Sequence, residues 1–228
     1  MLTTRSRGPH GGQPVFMGGA PLATGRAAVV LLHGRGASAE DMLELGRAIA
    51  SPEMTLLAPQ AVGHTWYPNR FLAPLDSNEP WLGSALEAVD DVIAQVEAAG
   101  VPRQRLLLTG FSQGACLALE HAVRRAWRLG GVAGLSGGLI GPPGTRWPEE
   151  PGRLVGLPVF VGCSDVDDHI PVERVHESAR VLRAGGASVT EAIYPGLGHT
   201  VNTDEVRQVR EMAAALLSGE LPAQGRDR

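Results

Sequence analysis

Ser112 stands inside Gly110-Phe111-Ser112-Gln113-Gly114, between the apolar run Arg105-Leu106-Leu107-Leu108-Thr109 and the helix-forming run Ala115-Cys116-Leu117-Ala118-Leu119-Glu120. A G-x-S-x-G stretch that leaves a strand and opens a helix holds its serine on a tight turn, with the hydroxyl exposed. A serine hydroxyl is a weak nucleophile until a base takes its proton and a third group fixes the tautomer of that base. Two downstream loops supply these residue types. One is Cys163-Ser164-Asp165-Val166-Asp167-Asp168-His169-Ile170-Pro171, and the other is Pro195-Gly196-Leu197-Gly198-His199-Thr200. His199, between glycine and threonine ahead of a closing helix, is the candidate base. Asp165, Asp167 and Asp168 compete for the acid, and a loop has no period by which to choose among them. An acyl-transfer site also needs donors for a developing oxyanion. The backbone N–H of Gln113 opens a helix, where donors lack intrahelical acceptors. His33-Gly34-Arg35-Gly36 can bring a second amide, that of Arg35.

These residues require strands that end on one edge. Residues 27–32 (AAVVLL), 54–58, 105–111, 132–135, 157–162 and 188–194 read as strands, several of them apolar throughout, as expected for parallel strands covered on both faces. Helical patterns alternate with them. Ser38 stands three residues before Asp41, an N-cap with an acidic first turn. Leu82, Leu86, Val89, Ile93 and Val96 form a stripe ended by Gly100. Further helices are expected over 112–127, 171–184 and 203–217. Such alternation predicts an α/β fold with a mostly parallel sheet and helices on both faces. Nucleophile, acid and base would then all leave carboxyl ends of strands, where α/β proteins bind their ligands.

The stretch 60–80 lacks periodicity and is rich in proline and aromatic residues. A loop of that length in a small domain usually serves function. Trp66, Tyr67 and Phe71 are candidates for an apolar substrate pocket, or for pinning the loop to the domain. Among the other histidines, His33 is expected to shape its strand-to-loop corner, His64 to lie near substrate and His169 to flank the acid, with His121 and His176 on helices.

The chain of 228 residues has a net charge of −4, 43% hydrophobic residues and 19% charged residues, which suits one soluble domain. We expect a poorly ordered or extended segment over 1–25, a single domain over 26–218 and a tail over 219–228. Nucleic acid is not an expected partner, since the basic residues form no block. No apolar run has the length of a membrane span and no signal-peptide stretch opens the chain, so a cytoplasmic protein without stable membrane insertion is expected. Cys116 and Cys163 read as buried thiols, not a disulfide. No metal or other cofactor is expected, because no cluster has metal-ligand spacing. The oligomeric state, a homodimer included, is left open.

Taken together, Leu32-His33-Gly34-Arg35-Gly36, Gly110-Phe111-Ser112-Gln113-Gly114, Asp167-Asp168-His169-Ile170-Pro171 and Gly198-His199 resemble the carboxylesterase/phospholipase family that includes the acyl-protein thioesterases, within the α/β-hydrolase superfamily. The resemblance runs from about Val29 to the end of the closing helix. It implies a catalytic Ser112, Asp167 and His199, with Asp167 preferred because the family commonly carries Asp-Pro-x-Val-Pro there. Asp168 stands where that pattern has proline. Thr65-Trp66-Tyr67-Pro68-Asn69-Arg70-Phe71 with Asn78-Glu79-Pro80-Trp81 is similar to bacterial members of the family. The implied activity is cleavage of carboxylic esters of short to medium acyl groups through an acyl-enzyme. Hydrolysis of acyl thioesters is the alternative, and a non-catalytic ligand-binding protein on the same scaffold is a more distant one.

Overall fold

The computed structural model describes residues 2–148 and 150–218. Among these, eight strands form one sheet in the order β1-β2-β4-β3-β5-β6-β7-β8. They are β1 (Leu2–Thr3), β2 (Pro14–Gly19), β3 (Ala27–Leu32), β4 (Met54–Pro59), β5 (Leu106–Phe111), β6 (Gly131–Leu135), β7 (Pro158–Ser164) and β8 (Ser188–Tyr194). Strands β4 to β8 and β3 pair in parallel, while β1 and β2 add an antiparallel margin.

The side chains of β3 show why its run is wholly apolar. Ala28, Val30 and Leu32 enter one core and Ala27, Val29 and Leu31 the other, as a pleat of period two requires. The first core is closed by α2 (Trp81–Ala98), α3 (Gln113–Arg125) and α4 (Val172–Ala184), and the second by α1 (Ala39–Ile49) and α5 (Thr203–Ser218). Ser38 caps α1 in a reciprocal box with Asp41. The stripe Leu82, Leu86, Val89, Ile93 and Val96 of α2 is buried.

The N-terminal segment departs from the expectation. The sequence places residues 1–25 outside the domain, yet Pro14–Gly19 is a strand of the sheet, paired with β4. His10 is fully buried and packs against Trp66 and Trp81 at ring-centroid distances of 5.4 and 5.6 Å. An antiparallel strand near the sheet margin buries only Val15 of its six residues, so no apolar run announces it. The predicted tail over 219–228 lies outside the described residues.

The excursion between β6 and β7 is held from two sides. The buried Glu120 carboxylate accepts the Ile140 N–H at 2.9 Å and the Trp147 indole N–H at 3.1 Å. Arg174 donates to the carbonyls of Leu139 and Gly141 at 2.8 and 2.7 Å. Gly141 in turn donates its N–H to the carbonyl of Phe71 at 2.7 Å, which joins this excursion to the aromatic loop after β4.

Candidate active site

Ser112 links β5 to α3 with φ 54° and ψ −116°, a region that L-residues other than glycine rarely adopt. The flanking glycines make this turn sterically feasible. A Cβ on Gly110 would lie 2.4 Å from the carbonyl of Gly114, and a Cβ on Gly114 would lie 2.1 Å from the carbonyl oxygen of Leu32. The turn is held to the sheet by the Ser112 N–H, which donates to Leu135 of β6 at 2.9 Å.

The loops after β7 and β8 deliver the partners. His199 Nε2 lies 2.8 Å from Ser112 Oγ, and its Nδ1 lies 2.7 Å from Asp167 Oδ2. A carboxylate only accepts, so Nδ1 carries the proton and Nε2 presents its lone pair to the serine hydroxyl. The other oxygen of Asp167 accepts the N–H groups of His169 and Ile170 at 2.9 and 3.0 Å. Burial pushes the Asp167 carboxyl upward, but the bond to His199 and the two backbone donors outweigh it and leave the group below the usual carboxylate range. The Cys163 thiol, pushed up to about 12 by burial and by Asp167, donates to Asp167 Oδ2 at 3.6 Å.

The three competing aspartates thus have three different surroundings. Asp165 accepts the Gly196 N–H at 2.7 Å and braces the loop that carries His199. Asp168 is exposed and stands 3.6 Å from His169 Nε2. Only Asp167 reaches His199 among the described residues.

Ser112 and His199 open onto a cleft of about 540 Å³, lined also by Arg35, Tyr67, Phe71, Phe111, Gln113 and Cys116. His169 stands at its side, its ring 4.6 Å from that of His199. Gln113 is the first residue of α3, so its N–H is among the donors a helix leaves without an internal acceptor.

Of the two roles open to Trp66, Tyr67 and Phe71, lining a pocket or pinning the loop, Trp66 takes the second. Its side chain is fully buried, its indole N–H donates to the carbonyl of His33 at 2.9 Å, and its ring packs between His10 and His33. It props the loop from behind, while Tyr67 and Phe71 form the cleft wall. His64 faces the carbonyl of Ala37 at 2.9 Å. His33 Nε2 accepts the Ala61 N–H at 3.0 Å, and its Nδ1–H donates to the carbonyl of Gly34. Burial holds this imidazole below its ordinary range, in the neutral form that such bonding needs. His121 is buried against Asp90, and His176 pairs with Glu191.

Two contributions were not anticipated. The Arg35 guanidinium donates to Thr65 Oγ1 and to the carbonyls of Pro68, Tyr67 and Asn69 at 2.7–3.0 Å, so its side chain shapes the aromatic loop. Cys116, read only as a core residue, lines the cleft one helical turn after Ser112. The spacing of four along a helix was the available signal.

The family model described as phospholipase/carboxylesterase matches residues 20–217. The chain belongs to this family. Acyl-protein thioesterase 1 of Eremothecium gossypii is 33% identical over 144 residues, 61% of this chain and 59% of that protein. The alignment therefore spans about three fifths of that relative's length. Lysophospholipase-like protein 1 of Mus musculus is 26% identical over 224 residues, covering 88% of this chain and 92% of that protein. Among solved structures, a phospholipase/carboxylesterase from Dyadobacter fermentans superposes with a TM-score of 0.83 at 38% identity, covering 94% of this chain and 99% of that one. The fold is that of the α/β-hydrolases. Among the described residues, no helix of this family member is long and apolar enough to cross a membrane.

Proposed function

We propose that the protein is a serine hydrolase that cleaves carboxylic esters of short to medium acyl groups through an acyl-enzyme on Ser112. The observation that carries this reading is the hydrogen-bonded line from Ser112 Oγ through His199 to Asp167. In the first step His199 Nε2 takes the hydroxyl proton while Ser112 Oγ bonds to the substrate carbonyl carbon. Asp167 keeps the proton on Nδ1 and stabilises the imidazolium. The backbone N–H groups of Arg35 and Gln113 receive the oxyanion. Collapse of the tetrahedral species expels the alcohol, protonated by His199. Water, deprotonated by His199, then attacks the acyl carbon and releases the carboxylic acid together with a free Ser112.

The side chains of Tyr67, Phe71, Phe111, Ile170 and Cys116 in the cleft lining support an apolar acyl group of limited length. Thioesters form the second reading, favoured by the relatives that carry the name acyl-protein thioesterase. Two buried free thiols, Cys116 and Cys163, support an accompanying reading of a cytoplasmic protein.

Matched series of 4-nitrophenyl esters and acyl thioesters, assayed with the parent and Ser112→Ala, test the proposal. Ester turnover that disappears in the variant is the expected result. Turnover of thioesters alone would shift the assignment to the second reading, and hydrolysis of neither class would remove it.

A further inference from the structure

The charged residues that line the cleft are of one sign. They are Arg35 and Arg70, and the lining contains no aspartate or glutamate. This contrasts with the chain as a whole, whose net charge is −4. The two arginines differ in what they hold. The Arg35 guanidinium is bonded through both terminal nitrogens to one hydroxyl and three carbonyl oxygens, all neutral groups. Those bonds occupy the donors of its terminal nitrogens without cancelling its charge. Arg70 is exposed, and among the described residues its guanidinium has no hydrogen-bond or ion-pair partner. Its main chain is fixed instead, since its carbonyl accepts the Ala73 N–H at 3.0 Å and the Asn78 side-chain amide at 3.4 Å. The base of the side chain is thus held in place at the cleft that contains Ser112, and the head is unengaged.

We propose that Arg70 is a specificity residue that receives a carboxylate of the substrate, so that the preferred ester is a negatively charged one. This rests on the ester-hydrolase reading above and names the substrate class for that site. A carboxylate fits better than a phosphate dianion because one fork of N–H donors is available, and a planar carboxylate matches one guanidinium in a two-point contact. The donors on the terminal nitrogens of Arg35 are already committed, but its charge adds to the positive field that draws an anion inward.

The carboxylate can lie on either side of the scissile bond, and paired substrates separate the two cases. On the acyl side the pair is the 4-nitrophenyl monoester of adipic acid and its methyl-capped diester. On the alcohol side it is 4-acetoxybenzoate and methyl 4-acetoxybenzoate. The quantity read is the ratio of kcat/KM for the acid to that for its capped partner, corrected for uncatalysed hydrolysis. In the parent one of these ratios should exceed unity and decline with added salt. Arg70→Gln should lower it by roughly ten-fold, and Arg70→Lys should retain part of the preference. Ratios that Arg70→Gln leaves within about two-fold in both pairs would overturn the proposal while leaving the ester-hydrolase reading intact. A larger dependence on Arg70 for 4-acetoxyphenyl phosphate than for either carboxylate would overturn the choice of carboxylate. If the parent hydrolyses none of these esters, the hydrolase reading fails first, and binding decides the rest. Calorimetry on Ser112→Ala with monomethyl adipate against dimethyl adipate should then show a preference for the acid that Arg70→Gln removes. Equal affinities would end the proposal.

Discussion

The side chain of Gln113 clamps the main chain of Trp66 and Tyr67. Its Oε1 accepts the Trp66 N–H at 2.9 Å, and its Nε2 donates to the Tyr67 carbonyl at 2.8 Å. The residue that follows Ser112, the proposed nucleophile, therefore has two uses. Its N–H opens α3 and is the proposed oxyanion donor, and its side-chain amide ties the aromatic loop to the turn that carries Ser112.

Gln113→Ala should weaken both stability and activity. It leaves the buried Trp66 N–H without its partner, at a cost of about 1–3 kcal/mol, while the Tyr67 carbonyl loses one donor and keeps those of Arg35 and Thr65. Chemical denaturation reads the first effect. The second should appear as a lower kcat/KM that depends on acyl length, because Tyr67 moves with the loop. An unchanged chain-length profile would mean that the clamp does not shape the cleft.

Asp167→Asn should lower kcat by up to roughly 10⁴-fold, since the amide no longer holds His199 in the required tautomer. Among the described residues the Asp165 carboxylate accepts only the Gly196 N–H, so Asp165→Asn should cost far less. Steady-state rates for the two variants on one ester decide between them, and the reverse order would contradict the proposed role of Asp167.

Trp66 and Phe71 should respond differently to truncation. Trp66→Ala removes a fully buried ring and should destabilise the fold by about 3–5 kcal/mol. Phe71→Ala opens the cleft wall and should alter selectivity across an ester series, on a scale of about 0.8 kcal/mol per methylene. Thermal unfolding and kcat/KM across the series separate the effects. A chain-length preference that tracks Trp66 and ignores Phe71 would reverse this assignment.

Much of this was legible in the residues, and the exceptions have physical causes. Strand β3 and the other central strands are buried on both faces, so their apolar runs are continuous. The Ser112 turn is local in sequence, with its glycines and flanking elements contiguous. Choosing Asp167 among three aspartates needed either the family resemblance or the geometry of two loops that are distant in sequence. Strand β2 was missed because it buries a single residue, Val15. The orientation of Trp66 was missed because a loop carries no period that separates the side facing His33 from the side facing the cleft.

Glu205 gives a prediction in pH. It is fully buried, its Oε2 accepts the Asn202 N–H at 2.9 Å, and its Oε1 has no hydrogen-bond partner among the described residues. Burial pushes its carboxyl up to about 7, with Asp204 and Asp167 adding to the rise and the Asn202 N–H opposing it. The folded chain then holds a proton that the unfolded chain releases from its ordinary value of 4.5 upward, so this group's contribution to stability falls as pH rises from there to about 7. Glu205→Gln removes that loss. The variant should gain on the parent by up to about 2–3 kcal/mol between roughly pH 5 and pH 8. Denaturation midpoints for both proteins at the two pH values measure this. A constant difference would mean that Glu205 does not titrate in the window.

The proposed chemistry is tested most directly by trapping the covalent species. A fluorophosphonate that phosphonylates activated serines, followed by peptide mass spectrometry, should place one adduct on Ser112 in the parent. It should leave Asp167→Asn labelled far more slowly and Ser112→Ala unlabelled. An adduct on another serine, or full esterase activity in Ser112→Ala, would contradict Ser112 as the nucleophile.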